Sequence, residues 1–178
     1  MILLVVFLWL QAEHASIVGP VTVCEALRNV AAYKSTPVAV VGRLERSVSL
    51  QDSTEYLDQE DCGAGTATRI LLWEDPAPED GPEPPKDHPN LDQPVLVVKL
   101  AQIRKTTALG THREPVYKKV QDRVIFSHFA DVPNSWAVAY GRLVKIPEEG
   151  WDGVVFSLFV VRQNIRPLTG DGRLGQTN

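Results

Sequence analysis

Little in this chain is equipped for chemistry. Its 178 residues include two cysteines, one methionine and four histidines. No CxxC occurs, which leaves a zinc-ribbon or thioredoxin-type site without support. His14, His88, His112 and His128 never fall in HxH or HxxxH spacing, so no local pair of imidazoles is set for a metal. Asp52, Asp58, Glu60 and Asp61 lie close together, but no D-x-D-x-D-G loop organises them for Ca²⁺, and they read as a solvated edge. There is no G-x-S-x-G, and no serine sits in a context that would activate it. Glu148, Glu149 and Trp151 offer carboxylates and an aromatic platform of the kind used on sugars, yet a turn beside a strand accounts for them equally well. A hydrolase or carbohydrate-active enzyme is therefore the least favoured function. No catalytic residue, metal or cofactor is expected.

Apolar runs are short as well. The most pronounced is ILLVVFLWL at residues 2–10, well below the roughly 20 residues that cross a bilayer. It has the length of the apolar segment of a secretory signal peptide, and Ala12 supplies the small residue before a cleavage site. The basic residues that usually precede such a segment are missing. Residues 1–15 are read as a signal peptide cleaved near Ala12, which would make the mature chain periplasmic or secreted; a buried N-terminal strand is the alternative. In that setting an even cysteine count points to one disulfide, Cys24 with Cys62. It would close a loop of about 38 residues and contribute roughly 3–4 kcal/mol in the chain-entropy model. Two separate buried thiols are the other possibility. Val21-Thr22-Val23 before Cys24 is not a lipoprotein signature.

Positive charge is scarce overall, with a net charge of -4, so the molecule as a whole is not a polyanion binder. The distribution is uneven. Glu45 to Gln93 carries 13 acidic against 3 basic residues, a net of -10. Pro94 to Arg166 carries 11 basic against 6 acidic, a net of +5. Seven prolines and six acidic residues fall in 75–94, which is read as a solvated, partly extended surface insertion.

What is present is mainly strand pattern. Thr22 with Glu25 forms a capping-box signature, and Ala26, Leu27, Val30 and Ala31 follow at helical spacing, so a short helix is predicted over 23–33. Valine-rich 37–50, with Gly42 inside it, predicts a long bent strand. Strands are also predicted over 54–60, 67–74, 135–146 and 153–165, the fourth with Gly141 inside it. Between the third and fourth strands, Val116, Val120 and Val124 recur at spacing four behind Pro115. A mainly helical connection is therefore predicted within 95–124. Residues 169–178 read as a disordered tail. Gly-Arg-Leu occurs at 42–44, 141–143 and 172–174. The first two are read as bends in barrel strands, and the third as a chance recurrence in the tail.

This element order is that of an OB-fold-like five-stranded barrel, in one domain over residues 20–168, with a β-sandwich as the alternative. Val23-Cys24-Glu25, Leu27, Tyr33, Val38, Val40, Gly42, Leu44 and Cys62 together resemble the opening of uncharacterised small bacterial extracytoplasmic proteins with an OB-fold-like domain. The resemblance implies the fold, an envelope location and the Cys24–Cys62 pair, and no activity. OB-folds bind on their sheet face, so Arg43, Trp136, Tyr140, Arg142 and Lys145 are the candidate binding residues, with loops 61–66 and 147–152 beside them. The expected function is a non-catalytic extracytoplasmic binding module whose partner is an envelope protein, a peptide or a saccharide. A protein that binds single-stranded nucleic acid is the alternative, disfavoured by the acidic charge and the apparent leader.

Overall fold

The computed structural model describes residues 17–34, 36–48, 53–63, 68–74, 81–106, 111–121, 123–133, 135–147 and 154–175. The expected signal peptide, residues 1–15, lies outside them, as do Asp52 and the Glu148, Glu149 and Trp151 cluster.

In chain order the elements are β1 (Ile17–Val18), β2 (Val21–Thr22), α1 (Val23–Arg28), β3 (Val38–Val48), β4 (Ser53–Asp58), β5 (Arg69–Glu74), β6 (Asn90–Leu91), α2 (Gln93–Thr106), β7 (Thr111–Val120), β8 (Arg123–Pro133), β9 (Ser135–Pro147), β10 (Val154–Val160) and β11 (Ile165–Leu168). Strands β3, β4, β5, β10 and β9 pair in that order, and β9 returns to β3. All these pairings are antiparallel except β5 with β10. The result is a closed OB-fold-like barrel.

Alternation along the strands decides what fills it. Val38, Val40 and Leu44 on β3 point inward with Leu57, Ile70, Leu72, Ala139, Leu143, Leu158 and Val160. Val23, Ala26 and Leu27 of α1 belong to the same core, so this short helix plugs one end of the barrel. Its start is the capping box expected: the Glu25 amide donates to Thr22 Oγ1 at 3.2 Å, and the Thr22 amide donates to Glu25 Oε2 at 2.8 Å. The disulfide Cys24–Cys62 fastens the first turn of α1 to the segment after β4.

A second core lies outside the barrel wall. Ala39 and Val41 of β3 and Trp136 and Val138 of β9 face outward and are covered by Leu96, Leu100 and Ile103 of α2. That spacing places the three on one helix face, and burying each contributes about 1.5–3 kcal/mol. The Asp92 carboxylate accepts from the Val95 amide at 3.1 Å and starts the helix. Glu25 of α1 pairs with Lys99 of α2, tying the plug to the cover.

Three sequence expectations are corrected. The connection expected to be mainly helical is helical only over α2; β7 and β8 form an antiparallel hairpin turning at Gln121, which has φ 47°. Val116 and Val120 misled because a spacing of four fits a period of two as well as 3.6, and Val124 falls beyond the turn, on β8. Pro115 is tolerated because both strands of a two-stranded ribbon are edges. The last predicted strand is two: β10 ends at Val160, residues Arg162–Asn164 make a 3-10 turn, and β11 pairs with β9 instead. The expected tail turns back at 169–173, and Leu174 bridges to Leu168.

The acidic, proline-rich segment is irregular surface chain over residues 81–89, and side-chain donors of the barrel hold it. Arg142 Nε donates to the Glu83 carbonyl at 3.0 Å, and Asn164 Nδ2 donates to the Pro85 carbonyl at 2.6 Å. Gln163 Nε2 reaches the Lys86 carbonyl at 3.5 Å. Proline carbonyls keep their acceptor capacity although the ring nitrogens have no donor, so side-chain donors fix a segment that cannot form a ladder.

Candidate functional site

The five candidate binding residues do not form one open face. Trp136 is only 8% exposed and belongs to the core beneath α2. Tyr140 packs against the same core. Arg43, 7% exposed, is held by acidic neighbours: its guanidinium lies 2.6 Å from Asp58, 2.8 Å from Glu45 and 3.1 Å from Glu60. Asp58 and Glu45 also pair with Arg69. Withdrawing one partner from such a buried cluster leaves an uncompensated charge, so Arg43 is a structural group. Arg142 is half-buried and engaged by Glu83. Lys145 is exposed, at the rim of a depression of about 230 Å³ lined by Val30, Ala31, Lys34, Leu143 and Val144. This is smaller than the roughly 300–1,000 Å³ of ligand pockets.

The burial of this face had a sequence signal. Trp136-Ala137-Val138-Ala139-Tyr140 is apolar at every position. A strand with one face in water alternates, whereas an unbroken run marks cover on both sides. Val38-Ala39-Val40-Val41 has the same character. With Trp136 and Tyr140 under α2, the stacking platform that single-strand binding would use is occupied.

Exposed apolar surface gathers elsewhere. Val120, Ile125 and Phe126 are 48%, 48% and 52% exposed, all next to the turn of the β7–β8 hairpin. Lys118, Lys119 and Arg123 beside them are exposed too. The hairpin is a separate two-stranded sheet, and among the described residues neither core includes one from it. Its strands of 10 and 11 residues give an arm roughly 30 Å long at about 3.3 Å per residue. A two-stranded ribbon is marginal in water without something to pack on.

The register sorts the tip. Lys118 lies opposite Ile125, and Val120 opposite Arg123, so one face pairs each cation with an aliphatic side chain across the strands. Phe126, adjacent to Ile125, points to the other face together with Lys119. Sequence reasoning missed this element because a helix was expected there. The available signal was strand propensity, since Val116, Tyr117, Val120, Val124, Ile125 and Phe126 are all β-branched or aromatic.

Among the described residues no group of three or more His, Cys, Asp or Glu side chains is placed to hold a metal ion, and no helix is long and apolar enough to cross a membrane. Comparison with protein-family models, with curated proteins and with solved structures finds no match, so the barrel's topology and its arm are the ground for any functional reading.

Proposed function

We propose that this chain is a non-catalytic, extracytoplasmic interaction module, a disulfide-fastened barrel that presents the β7–β8 arm to a component of the cell envelope. The observation that carries this reading is the tip itself: three half-exposed apolar side chains interleaved with three cations, on an element that contributes none of its described residues to either core. Patches of this kind on otherwise well-packed proteins mark contact sites. The Cys24–Cys62 bond supports an oxidising compartment, in keeping with the leader-like run at residues 2–10 and with the small extracytoplasmic proteins that the opening third resembles. The contact element in this proposal is the arm, and the α2-covered barrel face is scaffold.

The test is removal of the arm. Replacing residues 111–133 with a short Gly-Ser turn should leave the barrel's cooperative melting transition in place, since both cores remain. Capture of envelope components by cross-linking should be lost. An armless variant that captures the same components as the full chain would overturn the reading.

A further inference from the structure

We infer that the arm's partner is an anionic lipid surface, into whose interface the tip of the hairpin inserts. The inference rests on the reading of the arm as the contact element and names what it contacts.

Three observations point to lipid. First, the apolar side chains at the tip lie on both faces of the ribbon: Val120 and Ile125 on one, Phe126 on the other. A protein groove covers one face of a two-stranded ribbon well. An interface that surrounds the tip covers both at once. Second, the cations stand at the same level as the apolar groups. Lys118 is opposite Ile125, Arg123 is opposite Val120, and Lys119 shares the face of Phe126. Long basic side chains can lay their methylenes along apolar surface and keep their charge at the level of lipid phosphates. Third, charge favours the tip over the rest of the molecule. Residues 116–128 contain Lys118, Lys119 and Arg123 against Asp122 alone, while 45–93 is strongly acidic. An anionic surface would repel that acidic segment and attract the arm. A ribbon that is marginal on its own also gains order when its apolar tip is taken out of water.

The experiment is co-sedimentation of the purified, disulfide-bonded chain lacking residues 1–15 with vesicles of defined composition. One set is phosphatidylcholine alone; the other contains about one-third phosphatidylglycerol. Each net positive charge near an anionic surface contributes about a factor of five, so the tip's net charge of +2 should give binding roughly 25-fold tighter to the anionic set, falling as salt is raised. Ile125→Ser with Phe126→Ser should weaken binding at least tenfold at every salt concentration, whereas Lys118→Glu with Arg123→Glu should abolish the preference for anionic lipid. These side chains lie outside both cores, so melting temperatures should stay at the parent value. A variant that does melt early is replaced by Val120→Ser alone, which should still weaken binding. Equal binding to both vesicle sets, no binding to either, or vesicle binding unaffected by the tip substitutions would overturn the inference. So would a steeply salt-dependent affinity for a labelled oligonucleotide without affinity for vesicles. If vesicles are not bound but the arm still cross-links to an envelope protein, the lipid partner fails and the arm reading stands. If the armless chain cross-links equally well, the arm reading fails too.

Discussion

Arg162 Nη1 donates to Glu55 Oε2 at 2.6 Å, joining the turn after β10 to β4 across 107 residues of sequence. Glu55 also accepts from Arg46, with Nε at 3.1 Å, and Arg162 reaches Glu74 as well. By alternation Glu55 and Glu74 continue the inward rows of Leu57 and of Ile70 with Leu72, so this network closes the barrel end away from α1. Burial alone would raise the Glu55 pKa; the hydrogen bonds from Arg46 and Arg162 outweigh it and hold the carboxyl below its ordinary value. A carboxylate whose folded pKa is depressed stabilises the fold fully above its unfolded value, about 4.3, and ceases to do so as pH falls through the folded value. The stability of the parent protein should therefore fall more steeply below about pH 4.3 than that of Glu55→Gln. At pH 7 the variant should be less stable by about 1–2 kcal/mol, since both arginines are half in water and the pairs are partly screened. Urea midpoints measured from pH 3 to pH 7 decide this, and parallel curves would refute it.

The disulfide is reinforced at its own junction. The Cys24 amide donates to Gln59 Oε1 at 3.0 Å, and Arg28 donates to the Cys62 carbonyl at 2.8 Å. These bonds hold the α1 plug to the same segment that the disulfide fastens. Replacing both cysteines with alanine should consequently cost toward the lower end of the usual range, about 2 kcal/mol, without unfolding the barrel. Chemical denaturation with and without reductant measures it. A double variant that fails to fold at 25 °C would show that the plug depends on the covalent bond alone.

The barrel was legible in the sequence because its strands are apolar runs bounded by turn residues, and because a helix between the third and fourth strands suits few β architectures. The disulfide was legible because two cysteines allow one pairing. The site was less so, for physical reasons that differ by residue. Whether Trp136 faces water depends on where α2 docks, a contact between residues far apart in sequence. Arg43 resembles a binding cation in isolation; what neutralises it is the register that sets Asp58 opposite it. The hairpin was hidden by a spacing that two periodicities share.

The proline-rich segment gives a third prediction. Asn164 is buried, and its amide is what holds the Pro85 carbonyl. Asn164→Ala should cost about 1–3 kcal/mol, because an acceptor against the barrel loses its donor. It should also free the segment locally. Trypsin cleavage after Lys86 should then be much faster than in the parent protein under native conditions, as local opening exposes the chain. Equal cleavage rates would show that Arg142 and Gln163 suffice to pin it.

The three Gly-Arg-Leu repeats rank themselves by what surrounds each glycine. At Gly141 an added Cβ would be driven into the Phe159 carbonyl oxygen on β10, a backbone atom that cannot turn aside. At Gly42 it would meet Val23 Cγ2 at 2.9 Å and Leu57 Cβ at 3.0 Å, where the α1 plug enters the barrel. Gly172 differs again: its φ is +84°, and a Cβ would lie 2.9 Å from the Val97 Cα on α2. The third repeat has a structural role of its own, since its glycine both turns the chain and lets it approach the helix. Alanine at Gly141 should cost the most, about 3 kcal/mol or more, because strands β9 and β10 must separate to admit it. Alanine at Gly42 should cost about 1–3 kcal/mol, as Val23 can shift with its short helix. At Gly172 the left-handed backbone adds roughly 1 kcal/mol to the steric term, but the turn at 169–173 belongs to no strand or helix and can lift away from α2. Its loss should appear as faster amide exchange at 169–175 with little change in the global unfolding midpoint. Calorimetry on the three variants, with hydrogen exchange on the third, tests the order Gly141, Gly42, Gly172. A larger loss at Gly42 than at Gly141 would mean that the plug is more rigid than the barrel wall.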